Sequence, residues 1–222
     1  YIIAGAGPAG VIAAETLRKA DPKASILLIG DEPEPPYSRM AIPYLLSGGI
    51  GEAGTHLRKT KDHYQGLNIQ VLRDRITGVS AEQHEVTLDG GKTESFDRLL
   101  IATGASAVKP PVDGLDLPGV HHCWTLEDAR NIARLAEEGS PVVLMGAGFI
   151  GCIILQSLIS RGVKLTVVEM EDRMAPKMMN DTAAALLKSW CQDKGVSVKT
   201  GIGVSKVTAA DGGGLTVHLS QG

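Results

Sequence analysis

Apolar and polar positions at the start of the chain predict a strand, a helix and a second strand in succession. Residues 1–4 are apolar and are followed by the glycine-rich turn Gly5–Gly10. After this turn the apolar positions recur at helical spacing until about Ala20, where Asp21-Pro22 forms a helix stop signal. The apolar run Ser25–Ile29 then predicts the second strand.

The same order of elements returns later in the chain. Pro141–Met145 predicts a strand, Gly146–Gly151 a second glycine-rich turn, Cys152–Ser160 a helix and Lys164–Val168 the next strand. Each block is a βαβ unit of about 30 residues. Strands that alternate with helices in this way predict parallel sheets and an α/β fold.

The remaining pattern predicts hairpins, a crossover and two domains. Residues 89–92 lie between the strands Glu85–Leu88 and Ser95–Ile101 and predict an antiparallel hairpin. Residues 105–120 contain three prolines and predict a crossover between domains. We therefore expect two Rossmann-like domains, residues 1–108 and 109–222, with parallel sheets and antiparallel hairpin insertions. The other predicted elements are a strand at Ile69–Leu72, a helix at Asp181–Lys194 and strands at Val196–Lys199 and Leu215–Leu219.

Composition excludes several classes of protein. With 43% hydrophobic and 21% charged residues, the chain has the composition of an ordinary globular protein. Its net charge of -3 and aromatic content of 4% argue against nucleic-acid binding. No apolar run approaches the roughly 20 residues that a membrane span needs. The three cysteines lack C-x-x-C spacing, so they indicate neither a disulfide framework nor a zinc site and favour the cytoplasm.

The two glycine-rich turns predict dinucleotide binding. In a G-x-G-x-x-G turn the first glycine permits the tight turn, the second lets the backbone approach a pyrophosphate, and the third lets helix and strand pack closely. The following helix presents free N–H groups to the phosphates. One such turn is a weak signal, but here each copy follows a strand and precedes a helix.

An acidic residue at the end of the second strand of each unit is expected to bind the adenosine ribose. In the second unit this residue is Glu169, 23 positions after Gly146. Because its carboxylate repels a 2′-phosphate, the sequence predicts NADH rather than NADPH. In the first unit Asp31 and Glu32 are both candidates, since the acid is displaced by one or two positions.

Four motifs occur in the order that is typical of the two-dinucleotide flavoproteins. They are Gly5–Gly10, Pro36-Tyr37-Ser38-Arg39, Ala102-Thr103-Gly104-Ala105 and Gly146–Gly151. The chain therefore resembles this family, the FAD-dependent pyridine nucleotide-disulfide oxidoreductase-like family. Within this family the chain is most similar to the FAD-dependent NADH reductases of ferredoxins and rubredoxins and to the flavin portion of NADH-dependent nitrite reductase. The resemblance covers nearly the whole chain.

The resemblance implies two cofactors, FAD at the first turn and NAD(H) at the second. It implies that Arg39 lies near the FAD pyrophosphate or the flavin and that the backbone of Ile76 contacts the adenine. It also places Ala102, Thr103 and Gly104 against FAD. The residues contributed by the two turns are Gly5, Gly7, Pro8, Ala9 and Gly10 for FAD, and Gly146, Gly148, Phe149, Ile150 and Gly151 for NAD(H).

Two departures from the family pattern bear on how electrons leave the flavin. Met40 occupies the position of the redox cysteine of coenzyme A disulfide reductases and NADH oxidases, and the redox pair C-x4-C is absent. A thioether forms neither a thiolate nor a mixed disulfide, so a thiol relay is not expected. Tyr44 and Ile153 replace a Lys and a Glu that ferredoxin reductases often keep near the flavin, which implies a less polar flavin pocket.

A third departure concerns the family's last FAD-binding strand and its C-terminal domain, which this sequence lacks. The chain does not begin with methionine and stops within the expected NAD(H) domain. We therefore expect a fragment in which both domains are incomplete.

These observations predict an FAD-dependent oxidoreductase that transfers hydride from NADH to the flavin and electrons to a protein acceptor. The expected acceptor is a ferredoxin, a rubredoxin or a fused metal centre. The cofactors carry this chemistry, so no catalytic side chain is predicted. No metal site is predicted at His121, His122 and Cys123, because adjacent strand residues point to opposite faces. Two alternatives stay open: an NADH oxidase or coenzyme A disulfide reductase-like enzyme, and a non-catalytic nucleotide-binding module.

Overall fold

The computed structural model of the protein describes residues 1–220, which form two compact units. The first unit comprises Tyr1–Arg39 and Gly51–Ser106, and the second comprises Met40–Ile50 together with the chain from Ala107 onward. The segment Met40–Ile50 thus belongs to the second unit, whereas the sequence-based division assigned it to the first domain. The domain boundary at residue 108 stays a prediction.

Strands and helices alternate along most of the chain. The strands are β1 (Ile2–Ala4), β2 (Ile26–Gly30), β3 (Ile69–Arg73), β4 (Ile76–Ser80), β5 (Glu85–Leu88), β6 (Thr93–Ser95), β7 (Leu99–Ile101), β8 (Pro141–Met145), β9 (Lys164–Glu169), β10 (Ser197–Thr200), β11 (Val204–Ala209) and β12 (Leu215–Leu219). The helices are α1 (Pro8–Ala20), α2 (Ile42–Leu46), α3 (His63–Gly66), α4 (Leu126–Leu135), α5 (Phe149–Ser160) and α6 (Asp181–Asp193). Short 3-10 helices cover Arg39–Ala41 and Glu52–Thr55.

The first unit is built on a parallel sheet with the strand order β3-β2-β1-β7. Helix α1 packs on this sheet through Val11 and Ala14, which are fully buried against Ile3 and Leu28. A separate antiparallel sheet has the order β4-β5-β6. The predicted α/β fold with parallel sheets and antiparallel hairpins is confirmed.

One predicted strand, Ser95–Ile101, is wrong as a single element. The hairpin strand β6 ends at Ser95, and Leu99–Ile101 forms β7, which pairs in parallel with β1. Between them, the backbone N–H of Phe96 still donates to the carbonyl oxygen of His84 at 2.8 Å, and its side chain packs on the buried cluster that contains Val86 and Leu88 of the hairpin. The run Ser95–Ile101, which the sequence predicted as one strand, therefore contributes to two strands in different sheets.

The second unit is built on a parallel sheet with the order β10-β9-β8, and β11 and β12 form an antiparallel hairpin. Its core joins α5 and α6 to the sheet through Leu155, Leu158, Val167 and Cys191, all of which are buried.

The helices after the two glycine turns begin earlier than the apolar spacing predicts. We expected them to start after the turns, but α1 begins at Pro8 and α5 at Phe149, directly after the second glycine of each turn. The second glycine, Gly7 or Gly148, is the N-cap residue in each case. The last half of each glycine motif is therefore the first turn of a helix.

Candidate dinucleotide-binding sites

The first glycine turn connects β1 to α1 and has no room for a side chain at two of its glycines. Gly5 has a φ of +110°, and a Cβ built on it would lie 2.2 Å from the carbonyl oxygen of Ala102. A Cβ on Gly10 would lie 1.9 Å from the carbonyl oxygen of Gly5. A larger residue at either position would displace backbone atoms, so the fold itself requires these two glycines.

Gly7, the second glycine of this turn, differs from Gly5 and Gly10 because it has space for a side chain. A Cβ built on it would meet none of the described atoms within 4 Å. The exposed residues Pro8 and Ala9 follow it in the first turn of α1, where backbone N–H groups lack partners within the helix. Proline at this first helical position gives up no helix hydrogen bond. Open space in front of a helix N-terminus is the geometry that a pyrophosphate requires, so the turn fits the dinucleotide predicted for it.

The second glycine turn, between β8 and α5, repeats this arrangement at its second and third glycines. Gly146 has a φ of +94°, and a Cβ on Gly151 would lie 2.2 Å from the carbonyl oxygen of Gly146. Gly148 is again open, because a Cβ there would meet no atom of residues 1–220 within 4 Å. Phe149 and Ile150 follow in the first turn of α5 and are 55% and 50% exposed. This turn also fits a dinucleotide.

Glu169 ends β9, where the sequence placed the ribose-binding acid, and it is 8% exposed. One oxygen of its carboxylate, Oε2, accepts a hydrogen bond from the backbone N–H of Ala147 at 2.6 Å. The other oxygen, Oε1, accepts from the backbone N–H of Glu171 at 3.0 Å. The carboxylate is thus fixed against the glycine turn, which is the position from which an adenosine ribose would be bound.

The corresponding position in the first unit is a glycine. Ala4 pairs with Ile29 as Met145 pairs with Val168, so Gly30 takes the place of Glu169 in the register. A Cβ on Gly30 would lie 2.7 Å from the Cβ of Ala6. The turn leaves no room for a side chain there, and the two candidate acids of the first unit, Asp31 and Glu32, follow Gly30 in the chain.

The two candidate acids of the first unit, Asp31 and Glu32, have different partners in the structure. Asp31 is exposed and lies 3.3 Å from the guanidinium of Arg75. Glu32 accepts hydrogen bonds from Arg39, at 2.7 Å, and from the hydroxyl of Tyr37. Of the two acids, Glu32 is thus the one that is brought together with Arg39.

Arg39 also binds the loop after β7, and it thereby connects that loop to the network of Glu32, Tyr37 and Arg39. Its guanidinium donates to the carbonyl oxygen of Ala105 at 3.2 Å, immediately after Ala102, Thr103 and Gly104. Burial lowers its pKa, but hydrogen bonds to the Glu32 carboxylate and to Tyr37 raise the pKa of Arg39 above its ordinary value. The residues that resemblance assigned to FAD in the proline-rich loop and after β7 therefore lie close together.

Sequence reasoning missed Tyr37 as a member of this network. Its side chain is 6% exposed, and its hydroxyl binds the Glu32 carboxylate. The signal was its place in the Pro36-Tyr37-Ser38-Arg39 motif, two residues before the predicted arginine. Ile76, predicted to contact an adenine, is half-buried at the start of β4 and pairs with Leu88. Its assignment to the adenine stays a prediction.

Two side chains hold the segment Met40–Ile50 in the second unit by hydrogen bonds. They are Ser157 of α5 and Arg161, the C-cap residue of α5. The Ser157 hydroxyl donates to the carbonyl oxygen of Pro43 at 2.8 Å. The Arg161 guanidinium donates to the carbonyl oxygens of Leu46, Ala133 and Ala136, with distances of 3.0 Å to Leu46 and 2.7 Å to Ala136. Met40 and Tyr44, the departures from the family pattern in this segment, are 66% and 64% exposed.

All three cysteines are free thiols whose surroundings disfavour the thiolate. Burial raises the pKa of Cys123 to about 12, and burial also raises the pKa values of Cys152 and Cys191. The Cys152 thiol donates to the carbonyl oxygen of Ala147 in the glycine turn. Within residues 1–220, no group of His, Cys, Asp and Glu side chains is arranged to hold a metal ion. In that same range, no helix combines the length and the hydropathy that crossing a membrane requires.

Comparison with known proteins agrees with the motifs. The family model described as pyridine nucleotide-disulphide oxidoreductase matches residues 1–222. An NADH oxidase of Methanocaldococcus jannaschii is 32% identical over 95% of this chain and 49% of its own length. A rubredoxin-NAD(+) reductase of Pseudomonas putida is 30% identical over 99% of this chain and 56% of its own length. The resemblance inferred from the motifs is confirmed.

Solved structures show the same relationship. The ferredoxin reductase for the CYP199A2 system of Rhodopseudomonas palustris has 29% identity and a TM-score of 0.89, over 99% of this chain and 54% of that one. Putidaredoxin reductase in its covalent complex with putidaredoxin has 26% identity and a TM-score of 0.90, over 98% of this chain and 54% of that one. This chain therefore spans about half the length of the relatives that it matches.

Proposed function

Since this chain belongs to the pyridine nucleotide-disulphide oxidoreductase family, we propose that it is the nucleotide-binding part of an FAD-dependent NADH oxidoreductase that reduces a small redox protein or a fused redox domain. The observation that carries this proposal is the pair of glycine turns, each with an open second glycine at a helix N-terminus. The ferredoxin and rubredoxin reductases among the relatives support this class of acceptor.

In this proposal the first turn and the Glu32–Arg39 pair hold FAD. The N–H groups at the start of α1 bind the pyrophosphate, and the fixed guanidinium of Arg39 supplies a positive charge nearby. Glu32 is favoured over Asp31 as the ribose acid, because it belongs to the network that Arg39 joins to the loop after β7. When bound, FAD supplies the group that accepts hydride and from which electrons leave.

The second turn and Glu169 hold NADH in the same way, and the charges around Glu169 support NADH over NADPH. Arg173, four residues further on, is engaged by Asp172 at 2.8 Å and Asp181 at 3.4 Å. The Glu169 carboxylate repels a 2′-phosphate, and the two aspartates beside Arg173 add negative charge to this part of the chain.

Electrons leave the flavin without a thiol relay in this proposal. Met40 stands where disulfide-reducing relatives carry a redox cysteine, and burial raises the pKa values of the three thiols present. The test is NADH-dependent reduction of a ferredoxin or rubredoxin by the full-length protein before and after its thiols are alkylated with iodoacetamide. We expect unchanged turnover after alkylation, and a loss of turnover in proportion to labelling would contradict direct transfer.

An NADH oxidase is the second candidate function, favoured by the relative of that name in Methanocaldococcus jannaschii. The two candidates differ in their acceptor. Oxygen consumption and ferredoxin reduction, measured under the same NADH concentration, separate them: an oxidase turns over rapidly with oxygen alone.

We also propose a cytoplasmic location. All three cysteines are free thiols, as expected of a protein from a reducing compartment.

A further inference from the structure

The backbone carbonyl of Ala147, in the second glycine turn, accepts hydrogen bonds from two separate parts of the second unit. Ala147 itself is fully buried. The Cys152 thiol, on α5, donates to this oxygen at 3.3 Å, and the backbone N–H of Ala175, in the loop after β9, donates to it at 2.8 Å. Two buried donors therefore fix the direction of one carbonyl group in the turn.

The direction of this carbonyl determines where the N–H of Gly148 points. Both groups belong to the same peptide unit, which is planar and trans, so that the C=O and the N–H point in opposite directions. Because the Ala147 carbonyl is directed toward buried donors, the Gly148 N–H is directed away from them. Gly148 is exposed and is the N-cap residue of α5, at the helix terminus proposed to bind a pyrophosphate. The buried contacts thus act on the ligand side of the turn.

The Cys152 thiol is kept in the form that can donate. Burial, with the negative Glu169 carboxylate nearby, raises the pKa of Cys152, so the thiol carries its proton at neutral pH. Glu169 accepts from the N–H of Ala147 at 2.6 Å, so both backbone groups of Ala147 are engaged. A protonated thiol is also a poor nucleophile, and treatment with iodoacetamide at neutral pH therefore leaves this contact in place.

Ala175, the second donor, reaches Ala147 in a conformation that alanine rarely adopts. Its φ is +47°, and it is 3% exposed. The left-handed region is unfavourable for a residue with a Cβ and persists only where the surroundings impose it. Met174, directly before Ala175, is fully buried in the same cluster against which Cys152 packs. The loop and α5 are therefore both held where their donors meet the carbonyl.

The first glycine turn has no such donor at the corresponding position. Val11 directly follows the third glycine of the first turn, as Cys152 follows that of the second. Their backbone N–H groups make the same helical hydrogen bond, to Gly7 at 3.0 Å and to Gly148 at 2.9 Å. A valine side chain cannot donate a hydrogen bond. A side-chain donor at this position is thus particular to the turn assigned to NADH.

From this arrangement we propose that Cys152 is a positioning residue for the nicotinamide dinucleotide. Together with Ala175, its thiol holds the Ala147 carbonyl so that the Gly148 N–H faces the pyrophosphate. The side chain acts through the backbone of the turn and does not touch the nucleotide. The inference deepens the proposed function and rests on it, since it takes the second turn as the site of NADH.

The test measures NADH-dependent reduction of ferricyanide by the full-length flavoprotein. Cys152→Ala removes the donor, whereas Cys152→Ser keeps one at nearly the same size. We expect KM for NADH to rise about fivefold in Cys152→Ala with kcat changed by less than about twofold, because a contact that supports binding is lost. Cys152→Ser should restore KM to within about twofold of the unmodified value. The FAD content should be equal in all proteins, since Cys152 contacts the second turn.

The matched control is Cys191→Ala, which removes a thiol from the same buried cluster but on α6. Its stability to urea should fall, and its KM for NADH should stay within about twofold of the unmodified value. An equal rise in KM in Cys152→Ala and Cys152→Ser would overturn the proposal, because the hydrogen bond would then be irrelevant. So would an unchanged KM in Cys152→Ala, or a rise of the same size in Cys191→Ala.

Direct binding separates this proposal from the proposed function. Titration calorimetry with ADP-ribose, which contains the pyrophosphate, needs no turnover, and we expect its Kd to rise about fivefold in Cys152→Ala. Adenosine, which lacks the pyrophosphate, should bind both proteins equally, and an equal loss for adenosine would overturn the assignment to Gly148. If NADH does not reduce the flavin but Cys152→Ala weakens ADP-ribose binding alone, the proposed function fails and the positioning role stands. If the flavin is reduced and ADP-ribose binding is unchanged, the positioning role fails alone.

Discussion

At the scale of single residues, the glycines of each turn serve two different purposes. Gly10 is required by the fold, because a Cβ there would lie 1.9 Å from a backbone oxygen. Gly7 is open and is required only when a pyrophosphate approaches the backbone. The same motif therefore contains one glycine that the fold requires and one that we propose is required for ligand binding.

This distinction predicts different outcomes for two alanine substitutions. Gly10→Ala should destabilise the protein even without flavin, by roughly 1–3 kcal/mol, because backbone atoms must move apart. Gly7→Ala should keep its stability in the absence of flavin but lose affinity for FAD. Urea denaturation of the apoprotein and flavin titration measure the two effects separately. Equal loss of apoprotein stability in both variants would contradict this division of roles.

Glu169 provides a prediction about nucleotide choice. The substitution Glu169→Gln keeps an oxygen that can accept from the Ala147 N–H but removes the negative charge. We expect kcat/KM for NADH to fall about tenfold and the preference for NADH over NADPH to shrink, since one repulsive contact with a 2′-phosphate is lost. The neighbouring substitution Glu171→Gln is the matched control. Steady-state kinetics with both nucleotides would count against the assignment if NADPH remained equally excluded in Glu169→Gln.

The sequence predicted Glu169 as the ribose acid of the second unit but left Asp31 and Glu32 undecided in the first. In the second unit an acid ends the strand, where the usual spacing places it. In the first unit the strand ends in Gly30, and both candidate acids follow it in the loop. Only the three-dimensional contacts of Arg39 and Tyr37 then distinguish the two candidates.

At the scale of elements, the unexpected feature is the attachment of Met40–Ile50 to the second unit. Local patterns predicted α1 and α5, because a glycine turn and a helical repeat lie next to each other in the chain. The attachment depends on Ser157 and Arg161, which are more than a hundred positions away from the carbonyl groups they bind. No local pattern encodes such a contact, so the sequence alone could not predict it.

Arg161 makes this attachment testable. Replacement by Lys leaves at least one of three carbonyl groups without its partner, and we expect a loss of about 2–4 kcal/mol in the free energy of unfolding. Amide hydrogen exchange in residues 42–50 should accelerate at the same time. The exposed neighbour Arg134→Lys provides the control. Unchanged exchange in residues 42–50 would show that Arg161 does not hold the segment.

The N-terminus of α4 provides a prediction about pH. Asp128 and Thr125 form a capping box. Burial raises the pKa of Asp128, but hydrogen bonds from Thr125 and Trp124 outweigh it, and the net pKa lies below its usual value. A carboxyl group whose pKa is lowered by folding stabilises the protein above its unfolded-state pKa, and this contribution is lost as the pH falls through the folded-state pKa.

We therefore expect Asp128→Asn to be less stable than the unmodified protein at neutral pH, by about 1 kcal/mol. The difference should shrink toward zero as the pH is lowered to about 3. Urea denaturation over this pH range measures it. A difference that stayed constant with pH would mean that the charge of Asp128 contributes nothing.

At the scale of the whole molecule, we propose that the two glycine turns hold the two cofactors of one hydride transfer. In this proposal the chain supplies the two turns, the acids Glu32 and Glu169 and the cation Arg39, while the hydride chemistry belongs to the cofactors. Hydride transfer would require that both cofactors be bound in the full-length protein. Sequence motifs predicted this pair of sites, because each motif is local.

The most direct test is the visible absorption of the full-length flavoprotein when NADH is added without oxygen. We expect one equivalent of NADH to bleach the flavin absorbance within the time of a turnover, and NADPH to do so far more slowly. A flavin that remains oxidised in excess NADH would show that the two glycine turns do not serve one hydride transfer.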